Sequence, residues 1–381
     1  MTMPLISADN HFGLLFVLAG LAAFGFWSER TRVGARISGV ILVIAAGLIL
    51  SNAGAIPFSA PLYDIVWDFA VPLAIPLLLF RADLRRVLPE TGPVFISFVI
   101  ATIGTICGVL AGFHLIVLGP EAPKIVATLG ASWIGGSMNF AAVSQALALD
   151  DGTLVSAMAA ADNVGGTLFL LLLVSMPSIA FMRRLYPSRI IAAAPPPGAE
   201  EIDDGASAPL LNMSHIALLL TLSALCSLIG QSVAGWLGVP RYSVLFVTLA
   251  ALFIANVFPK QMHRLHGDFA LGMLFMYVFF GVMGAGADVA LMIETALPIF
   301  AFTGVMATVH LAVVLVCAKL FRLDFAEVLI ASNAVALGPA TAAAMAASQR
   351  WASLVTPAIM LGVLGYAIAN FIGVFLAGIL G

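Results

Sequence analysis

Asp162 and Asn163 are the residues of this sequence best placed to do chemistry. They stand in "AAADNVGG", in the middle of an apolar run over 152–180. A carboxylate at the centre of a bilayer costs at least ~2.5 kcal/mol unless it faces a cavity or finds a partner. Nothing adjacent in the sequence can pair it. A carboxylate beside an amide oxygen suits Na+, and a carboxylate alone suits a proton. The pair is therefore expected to hold or relay a coupling cation, with Na+ at Asp162 and Asn163 as one form of that site. The rival reading is a hydrogen-bonded structural carboxylic acid. Gly165-Gly166 follow and let a neighbour come close.

Two further stretches pair polar groups with interrupted backbone. "LGASWIGGSMNFAAVSQALAL", residues 129–149, holds Gly135, Gly136, Ser137 and Asn139. "IASNAVALGPATAAAMAASQ", residues 330–349, holds Asn333, Gly338, Pro339 and Thr341. Non-helical backbone at membrane depth is tolerated only where protein or water covers it. Each break starts a new helix, whose N-terminus carries free N–H groups and partial positive charge, which favour a carboxylate. These eight residues are expected to bind substrate, the alternative being packing glycines and caps in kinked helices. His310 lies mid-span and reads as a packed, hydrogen-bonded histidine. Asn370 is expected to bond a neighbouring helix, and Gln145 to face a partner of its arm.

The elements that must position these residues are membrane helices. The chain has 381 residues, of which 62% are hydrophobic and 9% charged, far below the ~25% charge of soluble domains. Runs of membrane length lie near 12–27, 36–51, 62–80, 92–118, 152–180, 213–238, 241–258, 266–286, 296–320 and 352–380. The partner implied throughout is the lipid bilayer. With a net charge of −3 and no basic patch, nucleic acid is excluded. Cys107, Cys226 and Cys317 sit in apolar runs and read as core residues. Metal-protease, phosphate-loop and paired-cysteine motifs are absent from the sequence, so no enzyme and no cofactor is expected. No cleaved leader is expected from "MTMPLISADNH".

Lys and Arg report orientation. If both broken stretches cross the membrane, the basic residues divide evenly. If each enters and leaves on one side as a re-entrant hairpin, all but Lys124 and Arg241 of the 16 fall inside. The hairpin topology gives ten full spans with both termini outside. The halves also repeat at an offset near 200: "DFAVPLAIPLLLF" at 68 faces "DFALGMLFMYVFF" at 268, "ETGP" faces "ETALP", and Ala131-Ser132 faces Ala331-Ser332. Under this topology the repeats are inverted, a pattern of secondary transporters. The expected division is 1–182 (scaffold 12–51, repeat 62–182), a cytoplasmic linker 183–212, and 213–381 (scaffold 213–258, repeat 266–381).

At "LLLFRADLRRVLPETGP", "WIGGSMNFAAVSQAL" and "NAVALGPATAAAMA" the chain resembles the YjcL-like bacterial membrane proteins, placed in the cation–proton antiporter and anion transporter superfamily. The resemblance covers nearly the whole chain. It implies an all-α fold with inverted repeats, interrupted helices and an elevator-like core moving against a scaffold, often in a homodimer. Asp162-Asn163 looks like the antiporters' acidic pair with Asn replacing one acid. The expected function is a Na+- or H+-coupled secondary transporter of a small organic anion or zwitterion in the bacterial inner membrane. The alternatives are a Na+/H+ antiporter without organic cargo, and a non-transporting receptor or scaffold.

Overall fold

The computed structural model describes residues 4–31, 39–193, 212–287 and 289–381, and every regular element among them is a helix. In order these are α1 (His11–Glu29), α2 (Gly39–Asn52), α3 (Pro61–Leu79), α4 (Leu84–Thr91), α5 (Val94–Leu115), α6 (Ala122–Gly135), α7 (Ser137–Ala146), α8 (Gly152–Ser175), α9 (Ala180–Leu185), α10 (Arg189–Ala193), α11 (Met213–Trp236), α12 (Ser243–Val257), α13 (Pro259–Arg264), α14 (Asp268–Ala285), α15 (Val289–Leu320), α16 (Phe325–Leu337), α17 (Pro339–Ser348) and α18 (Ala352–Leu380). Eight of them, α1, α3, α5, α8, α11, α14, α15 and α18, are long and apolar enough to cross a membrane. The chain is a polytopic helical membrane protein.

The other two expected spans, 36–51 and 241–258, contain α2 and α12, of 14 and 15 residues. At ~1.5 Å per residue α12 is short of a ~30 Å hydrocarbon core; the residues directly before α2 lie outside the described ones. The expected linker 183–212 begins with part of α9 and with α10; its residues 194–211 lie outside the described residues.

Polar residues fix where helices start. Asp151 accepts from Thr153 N and Leu154 N at the start of α8, and Asp324 accepts from Ala326 N at the start of α16. Asp324 also accepts from Ser188 Oγ at 2.6 Å and Arg189 N at 2.8 Å, tying α10 to the base of α16. A different device joins α5 to α15. Gly104, Gly108 and Gly112 recur every four residues and so share one face of α5. A Cβ at Gly108 would lie 2.9 Å from Met306 Cα, and one at Gly104 3.1 Å from His310 O. The missing side chains let the two backbones approach, and this sets His310 against Thr105.

Two helices measure the course of the broken stretches. Along α18, Gly365 lies at the end of α6 (a Cβ there would be 3.5 Å from Gly135 Cα). Gly373 meets both Ala131 and Val143 (2.8 and 3.1 Å), and Gly381 meets Pro123 (2.8 Å). Ala131 precedes the Gly136 break and Val143 follows it, so α6 and α7 fold back side by side. Both run from the break toward the Gly381 end. Along α8, a Cβ at Gly166 would lie 2.8 Å from Leu337 Cδ2, while Gln349 Nε2 donates to Val174 O at 3.4 Å. Phe325, at the start of α16, stacks on Tyr186 at 5.3 Å. Asn333 Nδ2 reaches Met345 Sδ across the second break at 3.3 Å. The pair α16/α17 is therefore also folded back, with its base at the end of α8 that carries Val174.

Charge sorts along the same axis. At the Arg350 end of the bundle, Arg81 forks onto Asp268 (2.7 and 2.9 Å) and donates to Leu265 O. Asn256, at the end of α12, accepts from Leu84 N and donates to Ala82 O. Lys124, paired with Glu121 at 2.7 Å, lies by Pro123 at the opposite end.

Candidate functional site

The two breaks are built alike. Gly136 has φ 81° and ψ −175°, and Gly338 φ 89° and ψ −175°. This region of backbone space belongs essentially to glycine. Pro339 follows as the first residue of α17, where its missing N–H is no loss. The tips meet: a Cβ at Gly136 would be 3.8 Å from Leu337 O. Tyr366 of α18 lies against both, 3.6 Å from such an atom at Gly136 and 3.2 Å, through its hydroxyl, at Gly338.

Beside the tips is a cavity of about 300 Å³ lined on its polar side by Ser132, Gly136, Ser137, Asp162, Asn163, Thr167, Thr341 and Tyr366. Its apolar side includes Leu78, Met138, Phe269, Met273, Met276, Phe280 and Leu337. Asp162 is only 7% exposed. Its Oδ2 accepts from Ser132 Oγ at 2.7 Å, and the neighbouring Trp133 indole N–H is buried without a hydrogen-bond partner. Among the described residues no Lys, Arg or His pairs with it, the ion pairs being Arg81–Asp268, Arg85–Asp83, Arg86–Glu90 and Lys124–Glu121. Asn163 gives its amide N–H to Ala159 O at 2.8 Å, which leaves its oxygen to accept. Carboxylate, hydroxyl and amide oxygens form a hard-donor set that fits Na+.

Of the residues expected at the site, Gly136, Ser137, Asp162, Asn163 and Thr341 line this cavity. The others stand behind it. Gly135 is a packing residue: any Cβ there would collide with Asn139 Oδ1. Asn139 turns away and donates to Tyr366 O and Asn370 Oδ1 at 3.0 and 2.8 Å. Asn333 accepts from Thr341 Oγ1 at 2.9 Å and so orients a lining residue instead of lining. Gly338 shapes the tip. Pro339 lines a second cavity of about 930 Å³, which shares Leu78, Phe269, Ala340 and Tyr366 with the first and opens among Arg30, Arg81, Arg86 and Asp268. Asn370 bonds Asn139 and Thr248 as expected of it, and Gln145 donates to Trp67 O of α3. Ser132, Tyr366 and the three methionines carry no motif; the repeated Ala-Ser is the one signal that pointed to Ser132. Arg32 and Arg36, counted on the inner face, lie outside the described residues.

A family model described as "Protein of unknown function (DUF819)" matches residues 16–381. The chain belongs to that family. It is 33% identical to the "Uncharacterized membrane protein YjcL" of Bacillus subtilis (strain 168), across 98% of this chain and 97% of that one. The match runs over all of the cavity-lining residues of this DUF819 member.

Behind the cavity a second polar chain links the two folded-back pairs. His310, fully buried, has Nδ1 2.9 Å from Thr105 Oγ1 and Nε2 2.5 Å from Ser332 Oγ. Thr105 donates to Trp133 O at 3.2 Å. His310 thus bridges α16 to α6. His310→Phe keeps a ring against Phe169, its edge-on neighbour, but strands the Ser332 hydroxyl, while Thr105 keeps Trp133 O and Ala101 O. The expected cost is about 1–3 kcal/mol, read as a lower Tm in detergent. Adding Ser332→Ala should recover part of it, since the stranded hydroxyl is then gone.

Proposed function

We propose that this protein is a cation-coupled secondary active transporter of a small organic anion or zwitterion. The observation that carries the reading is Asp162, a buried carboxylate without a cationic partner among the described residues, in a cavity where two helix breaks meet. A buried charge must be compensated, and here the compensation comes from a moving Na+ or proton. The N-termini of α7 and α17 end at the same cavity and favour a carboxylate on the cargo. The interrupted helices and the resemblance to the antiporter and anion-transporter superfamily support the same reading. The closing reaction is transport, not bond chemistry.

The folded-back pairs act as re-entrant hairpins entering from opposite faces, within inverted repeats over 62–182 and 266–381. With α8 and α18 they form an elevator core. Helices α1, α2, α11 and α12 form the scaffold and the contact of a homodimer. The basic end faces the cytoplasm, with both termini outside and the protein in the bacterial inner membrane. The larger cavity is then the inner vestibule, and the cargo site is reached from within. Labelling tests the topology: Val117→Cys and Asp150→Cys, in a background lacking Cys107, Cys226 and Cys317, should both react from outside, and reaction from opposite faces would restore crossing helices. Proteoliposome uptake with Na+ and proton gradients imposed one at a time tests the transport. A second reading, a Na+/H+ antiporter without organic cargo, is favoured by one fact: the only formal charge among the described lining residues is an acid. Substrate-free proton release driven by Na+ would select it.

A further inference from the structure

The cavity wall narrows the cargo class. Among its described lining residues, Asp162 is the single carboxylic acid and no Lys, Arg or His joins it. A cargo carrying only negative charge would face a carboxylate of its own sign in a site of low dielectric, where like charges strongly disfavour one another. A cargo with an ammonium group meets a carboxylate already held by Ser132 Oγ at 2.7 Å. The same cavity is lined by Met138, Met273, Met276, Phe269 and Phe280, and methionine fits itself to varied apolar shapes. A volume of about 300 Å³ is at the low end for ligand pockets, which limits the cargo to a small molecule. Its carboxylate would lie at the starts of α7 and α17, each of ten residues, where the N–H groups of Ser137, Met138 and Ala340 precede the first bonds of the helix.

We infer that the cargo is an amino-acid-like zwitterion with an apolar side chain, and that its ammonium group takes the place of the coupling cation on Asp162. This rests on the transport reading above. One carboxylate neutralises one positive charge, so ammonium and Na+ or H+ exclude each other. Cargo and cation then move in opposite directions on successive trips of one core. The device needs no second coupling site: whichever cation leaves on one face is replaced by the other.

The test uses the purified full-length protein. Its probes are leucine, methionine and phenylalanine with their N-acetyl derivatives, measured by calorimetry and thermal shift over series of Na+ concentration and pH. Free amino acids should bind, and N-acetylation, which removes the ammonium charge, should weaken binding at least tenfold. In the saturating range, a tenfold rise in the competing cation should raise the apparent Kd of the amino acid about tenfold, and the amino acid should weaken the cation reciprocally. Asp162→Asn should lose the amino acid while still folding. Equal or tighter binding of the N-acetyl acids would overturn the ammonium assignment and leave an anion carrier. A coupling cation that tightens amino-acid binding would overturn exchange in favour of co-transport. Binding of no organic probe of either kind, with Tm still responding to Na+ or pH, would overturn the inference and the organic cargo together, in favour of the cation antiporter. Inertness to every ion and solute would sink the transport reading itself.

Discussion

Asp162→Asn is expected to cut gradient-driven accumulation in proteoliposomes by at least about a hundredfold while the protein still folds. The amide has nearly the volume of the carboxylate and can still accept from Ser132 Oγ. What it lacks is the charge. Removing one side of a buried ion pair costs about 3–5 kcal/mol, which is about two to nearly four decades of affinity for the cation proposed at Asp162. Imposing the gradients singly separates the two ions. Loss of the sodium response assigns Na+ to Asp162, and loss of the pH response assigns the proton. Ser132→Ala should act in the same direction but more weakly, because a hydrogen bond to a charged group contributes about 1.5–3 kcal/mol. If Asp162→Asn accumulates solute with both responses unchanged, the carboxylate is structural and the site lies elsewhere.

Gly136→Ala and Gly338→Ala are each expected to lower transport by about an order of magnitude or more. The cause is backbone conformation and not crowding by the added atom. In the structure a Cβ at Gly136 has room, its nearest neighbour being 3.6 Å away. The penalty comes from φ near +81° with ψ near −175°, a conformation that costs a non-glycine residue about 1–3 kcal/mol. Alanine should therefore harm Gly136 nearly as much as valine does. Gly338 adds contact with Tyr366, 3.3 Å from the new atom to Cε1. Gly304 on α15, with nothing within 4 Å of a Cβ, is the control and should tolerate alanine. Uptake and Tm together decide: if Gly136→Ala transports like Gly304→Ala, the tip geometry is not required.

The sequence by itself determined the membrane class. Apolar runs such as 94–115 and 352–380 leave no alternative once charge falls to 9%, because hydrocarbon forces backbone groups to bond within each helix. It also marked both breaks, since Gly136 and Gly338-Pro339 are chemically unsuited to an unbroken helix, and it marked Asp162 as a charge without a local partner. Span length was less legible at α12, expected over 241–258, where only backbone bonding shows that the helix covers Ser243–Val257. Tertiary structure alone decided which polar residues face the cavity. Asn139 and Asn333 have the same chemistry as Asn163, and nothing in a one-dimensional pattern tells that the first turns onto Tyr366 O and Asn370, the second onto Thr341, and only the third faces the cavity. Tyr366 was silent for the same reason, and Ser132 was marked only by the repeated Ala-Ser. A hydroxyl in an apolar run satisfies itself on its own helix or reaches a neighbour with equal ease, and the choice is set by which helix packs alongside. Helices 30 and more residues apart in sequence make that choice, as Asp162 does for Ser132 and α18 does for both tips.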